Sequence, residues 1–128
     1  MDGRRSVSRD LKGTEAAEGW IQGMEGKEGV KTLWLTHCGL EEWPANLSGD
    51  SFPGLDELSV FPNVNMKEMP EGLAPFSHLT YLDVSKTGLS TLPRDLARVC
   101  PLLEWLYMGS CQFRTIPESV RGLKGLET

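Results

Sequence analysis

The chain has 128 residues, of which 39% are hydrophobic, and a net charge of −5. This length supports one domain with a real core, and the acidic balance argues against nucleic acid as a partner, because nucleic-acid binding depends on a basic surface. Since no apolar run approaches the roughly eighteen residues of a membrane helix, and since residues 1–20 lack the apolar stretch of a signal peptide, we expect a cytoplasmic protein that makes no membrane contact.

The first 29 residues precede the regular part of the sequence. The stretch KGTEAAEGWIQGMEGKEG, residues 12–29, contains five glycines, which lower helix stability and leave little apolar surface to bury. Its apolar residues are Trp20, Ile21 and Met24. We therefore predict that residues 1–29 are a linker or an N-terminal cap segment, in which these three side chains cover the end of the core.

Four copies of one pattern fill the rest of the chain. Each copy follows L-x-x-L-x-L-x-x-N/C-x-L-x-x-L-P-x-x-L, and its third apolar position recurs at intervals of 24 or 25 residues. Such intervals are typical of leucine-rich repeats. The predicted copies span 30–54, 55–78, 79–102 and 103–125, followed by the start of a fifth. Because the sequence stops there without a second cap, we expect the chain to be a fragment of a longer protein.

The spacing within each copy predicts its structure. The L-x-L element has period two, which indicates a short strand whose leucines face the core. A turn follows, where an Asn side chain binds free backbone groups and Cys or Thr does so more weakly. The predicted core pairs are Leu33/Leu35, Leu58/Val60, Leu82/Val84 and Leu106/Met108, and the turn residues are Cys38, Asn63, Thr87 and Cys111.

Each copy then ends with a second apolar pair and a proline, which suits an irregular segment or a first helical turn rather than a paired strand. The predicted fold class is therefore α/β, a leucine-rich-repeat solenoid of about four repeats with a short parallel β-sheet on its concave face.

No pattern typical of an enzyme is present. His37 and His78 occupy different positions in different copies, without a nearby nucleophile motif, and there is no phosphate-binding glycine loop. The three cysteines form no C-x-x-C pair; Cys38 and Cys111 are too far apart in the predicted fold to form a disulfide, and Cys100 is expected to be a small buried apolar residue. We therefore predict that the chain is not an enzyme, has no catalytic residue and binds no cofactor or metal.

The outer face of the predicted strands carries residues that a core does not require. Five of the ten aromatic residues of the chain lie on or beside it, among acidic side chains, and aromatic anchors in a polar surround are typical of protein-binding surfaces. An alternative is that cross-strand aromatic pairs only stiffen the sheet. The candidate protein-binding residues are Trp34, His37, Glu57, Phe61, Tyr81, Asp83, Lys86, Trp105 and Tyr107.

Three segments resemble parts of a known family. LTYLDVSKTGLSTLPRDL, residues 79–96, and LEWLYMGSCQFRTIPESVRGLKGLE, residues 103–127, resemble the leucine-rich repeats of plant nucleotide-binding (NLR) disease-resistance proteins. DLKGTEAAEGWIQ, residues 10–22, followed by EGVKTLWLTHCGLEEWP, resembles the junction that precedes those repeats, particularly in receptors with a Toll/interleukin-receptor-like N-terminal domain.

The resemblance implies a role in innate immunity and plant defence. In that family the repeats recognise pathogen effectors and help to hold the receptor inactive, so the expected partner is an effector, a host protein or another domain of the same receptor. The nucleotide-binding and signalling motifs of the family are absent from this chain and are not implied. Three alternatives remain open: a small cytosolic repeat scaffold in signal transduction, the repeat region of a larger enzyme, and a secreted receptor ectodomain.

Overall fold

The fold was analysed in a computed structural model that describes residues 4–8, 13–115, 117–123 and 125. The strands are β1 (Arg4–Ser8), β2 (Thr32–Thr36), β3 (Glu57–Ser59), β4 (Tyr81–Asp83) and β5 (Trp105–Tyr107), the α-helices are α1 (Thr14–Gln22) and α2 (Leu96–Val99), and two 3₁₀ turns span Lys27–Gly29 and Glu118–Gly122.

The strands form one parallel sheet in chain order, β1-β2-β3-β4-β5. From β2 to β5 the register aligns Leu33, Leu58, Leu82 and Leu106. The first three of these side chains are fully buried, and Leu106 is 5% exposed. The predicted L-x-L strands are thus confirmed: alternate residues face one core, and the residues between them face outward.

The rest of the core comes from the connections between strands. Trp43, Met69 and Leu92, which precede the recurrent prolines, are buried as the pattern predicts. The Trp43 indole N–H donates to the Leu47 carbonyl at 2.8 Å, which satisfies its polar atom inside the core. Ile116, the corresponding residue of the fourth copy, lies outside the described residues.

The N-terminal segment packs against this core. Helix α1 buries Ala17 and Ile21, and Trp20 and Met24 lie partly buried against the same cluster. The Thr14 hydroxyl fixes the helix start by accepting the Glu41 and Glu42 amide N–H groups, at 3.1 and 3.0 Å. Trp20, Ile21 and Met24 thus lie against the core, while the assignment of residues 1–29 as a linker or cap stays a prediction. Strand β1 extends the sheet beside β2.

The predicted fold class is wrong. The α/β leucine-rich-repeat solenoid of about four repeats is replaced by a single sheet of five parallel strands, and α-helix in the described residues is limited to one nine-residue and one four-residue element. The connection from β2 to β3 and the connection from β3 to β4 contain no helix. Pro44, Pro53 and Pro70 lie in these connections, where each removes a backbone donor that a helix interior needs.

Two other expectations concern the C-terminal part. Met108 was predicted to face the core fully but is only half-buried, because no described strand lies beyond β5 to cover it. The start of the fifth copy, residues 126–128, lies outside the described residues, and the divisions between copies stay a prediction. No described helix has the length and apolar character that crossing a bilayer requires.

Asn63 ties neighbouring connections together. Its side-chain oxygen accepts the backbone N–H groups of Cys38 and Leu40, at 3.1 and 3.2 Å, and its amide nitrogen donates to the carbonyls of Leu35 and Val60. The residue is 2% exposed, so these backbone groups have no access to water. The predicted role of Asn at this position is confirmed. Thr87 bonds its own connection more weakly, through one hydroxyl.

Replacing Asn63 by alanine should destabilise the fold. The change leaves buried N–H and C=O groups unpaired, and a single such group costs about 1–3 kcal/mol, so we expect the free energy of unfolding to fall by more than about 2 kcal/mol. Denaturant titration measures this. Asn65→Ala, at an exposed position in the same connection, is the matched control and should change stability by less than about 0.5 kcal/mol. Equal effects of the two substitutions would contradict the assigned role.

Gly49 shows how closely two connections approach. A Cβ on this residue would lie 1.7 Å from the Pro75 carbonyl oxygen, a backbone atom that has no rotamer in which to move away. The Gly49 N–H donates to the Ala74 carbonyl at 3.0 Å, so the contact is part of the bonded structure.

Two glycine-to-alanine substitutions should therefore have opposite effects on stability. Gly49→Ala should lower the midpoint of thermal unfolding by forcing the connections apart, at a cost of roughly 1–3 kcal/mol. Gly19→Ala, within α1 and with nothing within 4 Å of the added Cβ, should raise stability by about 0.5–1 kcal/mol. A destabilised Gly19→Ala or a neutral Gly49→Ala would show that the described packing is wrong.

Candidate functional site

The outer face of the sheet presents two rows of side chains that cross the strands from β2 to β5. The register places them opposite one another, about 4.8 Å apart from strand to strand. We call these the first row and the second row. The first row is Thr32, Glu57, Tyr81 and Trp105, and the second row is Trp34, Ser59, Asp83 and Tyr107.

Three large aromatic side chains on this face reach solvent. Trp34, Trp105 and Tyr107 are 39%, 36% and 39% exposed. They stand on rigid strands, so little conformational entropy is lost when a partner covers them. No described helix contacts the strands closely enough to cover the face. The described part of the chain therefore leaves an aromatic surface open to solvent.

Diagonal contacts connect the two rows. The Trp34 indole N–H donates to a Glu57 carboxylate oxygen at 2.8 Å, and the Tyr81 and Tyr107 rings lie 5.2 Å apart in a tilted arrangement. Such pairs are the usual unit of cross-strand stabilisation. Trp105 makes no side-chain hydrogen bond or ring contact with the described residues.

The face is acidic. Burial raises the pKa of Tyr81, and the nearby charges of Asp83 and Glu57 raise it further, because ionisation of the phenol would place a third negative charge beside two carboxylates. One Asp83 oxygen accepts the Ser85 amide N–H at 2.9 Å, and this bond orients the carboxylate at the end of β4. Exposed Asp56 and Glu104 lie directly before β3 and β5.

The other three candidate residues lie in the connections that follow the strands. The Lys86 ammonium is 5.7 Å from the centroid of the Phe61 ring, a cation–π distance. His37 and Lys86 border one open depression, together with Val64. Both residues have a left-handed backbone, with φ of 53° and 52°, a conformation that a residue with a Cβ adopts at some cost.

The structure thus separates the nine predicted residues into two neighbouring groups. Six of them stand in the two rows on the strands, and three stand beyond the strand ends. Sequence reasoning missed Val64, which is 64% exposed and borders the depression beside Lys86. The sequence feature that could have identified Val64 is its position as an apolar residue within PNVN, a turn-forming stretch where no core position is expected.

The cysteines and acidic residues form no second site in the described residues. None of the three cysteines forms a disulfide, and burial raises the pKa of Cys38 and raises that of Cys100 to about 12, so these two thiols are poor nucleophiles. No described group of three or more His, Cys, Asp or Glu side chains is arranged to hold a metal ion.

Comparison with known proteins gives a partial similarity to a curated protein. No protein-family model matches the chain, and no solved structure matches it. A curated protein named uridine 5'-monophosphate transferase, from Xanthomonas campestris pv. campestris, is 34% identical over 65 residues, which are 50% of this chain and 12% of that protein. The similarity thus covers half of this chain and only a small part of the transferase.

The charge around Tyr81 is open to a direct test. Asp83→Asn removes one of the two charges that raise the pKa of Tyr81, so we expect that pKa to move down toward the ordinary tyrosine value, with the contribution of burial remaining. The folded state holds the phenolic proton more firmly than the unfolded state does. The free energy of unfolding should therefore fall as the pH rises above the ordinary tyrosine pKa, and this fall should be smaller in Asp83→Asn.

Tyrosine ring carbon NMR across alkaline pH measures this shift, with Tyr107→Phe to assign the two signals. The matched control is Asp50→Asn, the same substitution at an exposed position in the connection between β2 and β3. Identical Tyr81 titrations in both aspartate variants would mean that Asp83 does not act on the phenol.

Proposed function

We propose that this chain is a protein-binding module and that the outer face of its sheet is the binding surface. The observation that carries the proposal is the exposure of Trp34, Trp105 and Tyr107 together on a rigid, uncovered face. Exposed aromatic groups of this size cost solvation free energy, and aromatic anchors dominate the binding energy of many interfaces.

The acidic side chains on the same face support a partner with complementary basic residues. Charge complementarity guides the encounter and excludes partners with like charge, while the aromatic side chains supply most of the affinity. Phe61, Lys86 and His37, beyond the strand ends, extend the same surface toward the depression, and the partner we propose covers both groups of residues.

The setting we propose is an intracellular plant immune receptor. Support comes from the resemblance of the segments 10–22, 79–96 and 103–127 to that family. In this setting the partner is a pathogen effector, a host protein or another domain of the same receptor. The binding surface then serves recognition or autoinhibition in the cytoplasm, without a catalytic step, a cofactor, nucleic acid or a membrane.

A second candidate is a binding region within a larger enzyme. It is favoured by the similarity to a small part of the Xanthomonas transferase, at 34% identity over 65 residues. In this alternative the chain recruits the substrate or regulator of an attached enzyme, and it does no chemistry itself. Both candidates use the same outer face.

The test separates the binding surface from the fold. Proteins captured from a cytosolic extract are purified, and their affinities are measured against the wild type, Trp105→Ala and Tyr107→Ala. We expect each substitution to weaken binding by about tenfold or more, with little change in the free energy of unfolding. Leu82→Ala, in the core, should instead cost roughly 2–5 kcal/mol of stability.

Leu102→Ala is the matched surface control, since Leu102 is 54% exposed but lies outside both rows. It should leave the affinity unchanged. The proposal fails when Trp105→Ala and Tyr107→Ala unfold the chain as Leu82→Ala does, or when they bind every captured partner as tightly as Leu102→Ala does.

A further inference from the structure

Two carboxylates on the outer face, those of Glu57 and Asp83, form no ion pair with the side chains that the structure describes. The ion pairs of the described residues join Arg94 to Glu71, Arg98 to Asp95 and Arg121 to Glu118. No described Lys or Arg pairs with Glu57 or Asp83. On each of these two carboxylates, one oxygen accepts a hydrogen bond from the chain and the other has no partner among the described residues.

Aromatic surface lies beside these carboxylates. In the second row Trp34 and Asp83 flank the small side chain of Ser59 and are two strand spacings apart, about 10 Å between backbones. The indole of Trp34 reaches from β2 to Glu57 on β3 and remains 39% exposed. An exposed indole and a carboxylate oxygen without a partner among the described residues therefore lie in the same row, separated by one small side chain.

From this arrangement, and resting on the proposed function, we propose that the protein partner places an arginine side chain between Trp34 and Asp83. The guanidinium stacks on the exposed indole and donates hydrogen bonds to the Asp83 carboxylate, with Glu57 adding a second negative charge beside it. Stacking and hydrogen bonding together take up roughly 6–7 Å, which is less than the backbone separation of about 10 Å between the two residues.

Arginine fits this arrangement better than lysine does. Its planar guanidinium stacks on an aromatic ring while its edge donates to a carboxylate, and it loses less hydration on burial than an ammonium does. An ammonium can satisfy the carboxylate or approach the ring, but it lacks the flat surface that stacks on the indole.

Lys86 adds a positive charge beside the proposed arginine site. Its ammonium lies over Phe61, which follows β3, and it makes no ion pair with the described acidic residues. This positive charge near the end of β4 opposes a second cation on the same face. Its removal should therefore strengthen arginine binding, an effect opposite in sign to the removal of Asp83.

The experiment uses the full chain and a short acetylated peptide of alternating glycine and arginine, with matched peptides in which citrulline or lysine replaces arginine. Titrations are followed by the indole N–H resonance of Trp34 in nitrogen-correlated NMR. We expect the arginine peptide to shift this resonance and to saturate. The lysine peptide should bind more weakly and the uncharged citrulline peptide not at all.

Substitutions in the chain test which side chains act on the arginine of the peptide. Asp83→Asn should weaken arginine-peptide binding by about fivefold or more, Lys86→Gln should strengthen it by about twofold, and Asp50→Asn should leave it unchanged. Equal binding of the citrulline peptide, equal binding of the lysine peptide, no saturable shift, or a normal affinity in Asp83→Asn would each overturn the arginine assignment.

The two proposals fail separately. If the arginine peptide does not bind while Trp105→Ala and Tyr107→Ala still lose their protein partner, the outer face is a binding surface and the arginine assignment is wrong. If those two variants keep the partner, the proposed function fails, and the arginine proposal, which rests on it, fails too.

Discussion

The register of the parallel sheet is the constraint on which the rest of the structure depends. Side chains alternate between the two faces of a strand, so a slip by one residue would bring Trp34 into the core and expose Leu33 and Leu35. The aligned line of buried leucines makes such a slip costly, since each exposed leucine loses about 1.5–3 kcal/mol of burial. Asn63 adds a directional restraint, because its amide fits only one relation between the two connections that it joins.

Much of the fold was predictable because the apolar residues that are buried in successive strands recur at a regular interval in the sequence. The 24- to 25-residue interval predicted β2 to β5 and their inward residues, since L-x-L marks one face of a strand. Strand β1 was not predictable in this way. RRSVS has no apolar alternation, and its pairing with β2 depends on backbone hydrogen bonds, which any residue except proline can supply. The helix content was overestimated because local spacing does not distinguish a helical connection from an irregular one.

The sequence predicted which residues face outward in the candidate site, but it did not predict the contacts between them. The alternation that buries Leu82 places Tyr81 and Asp83 outward, so the residues of the two rows follow from the strand assignment. The contacts between these residues do not follow from the strand assignment. A diagonal pair such as Trp34 and Glu57 depends on the rotamers of two side chains as well as on their register. The left-handed backbone at His37 and Lys86 was also beyond the sequence pattern, since neither residue type favours it as glycine does.

The outer aromatic residues differ in how much they contribute to the stability of the sheet. The Tyr81–Tyr107 ring pair stabilises neighbouring strands, and the Trp34–Glu57 bond does the same for β2 and β3, so internal stability accounts for part of their presence. Trp105 differs. It lies on β5, at the side of the described sheet where no further strand pairs, and its indole is without a ring or hydrogen-bond partner in that part of the chain. Because Trp105 remains 36% exposed and has neither of these contacts, part of its apolar surface stays available to the partner that the proposed function requires.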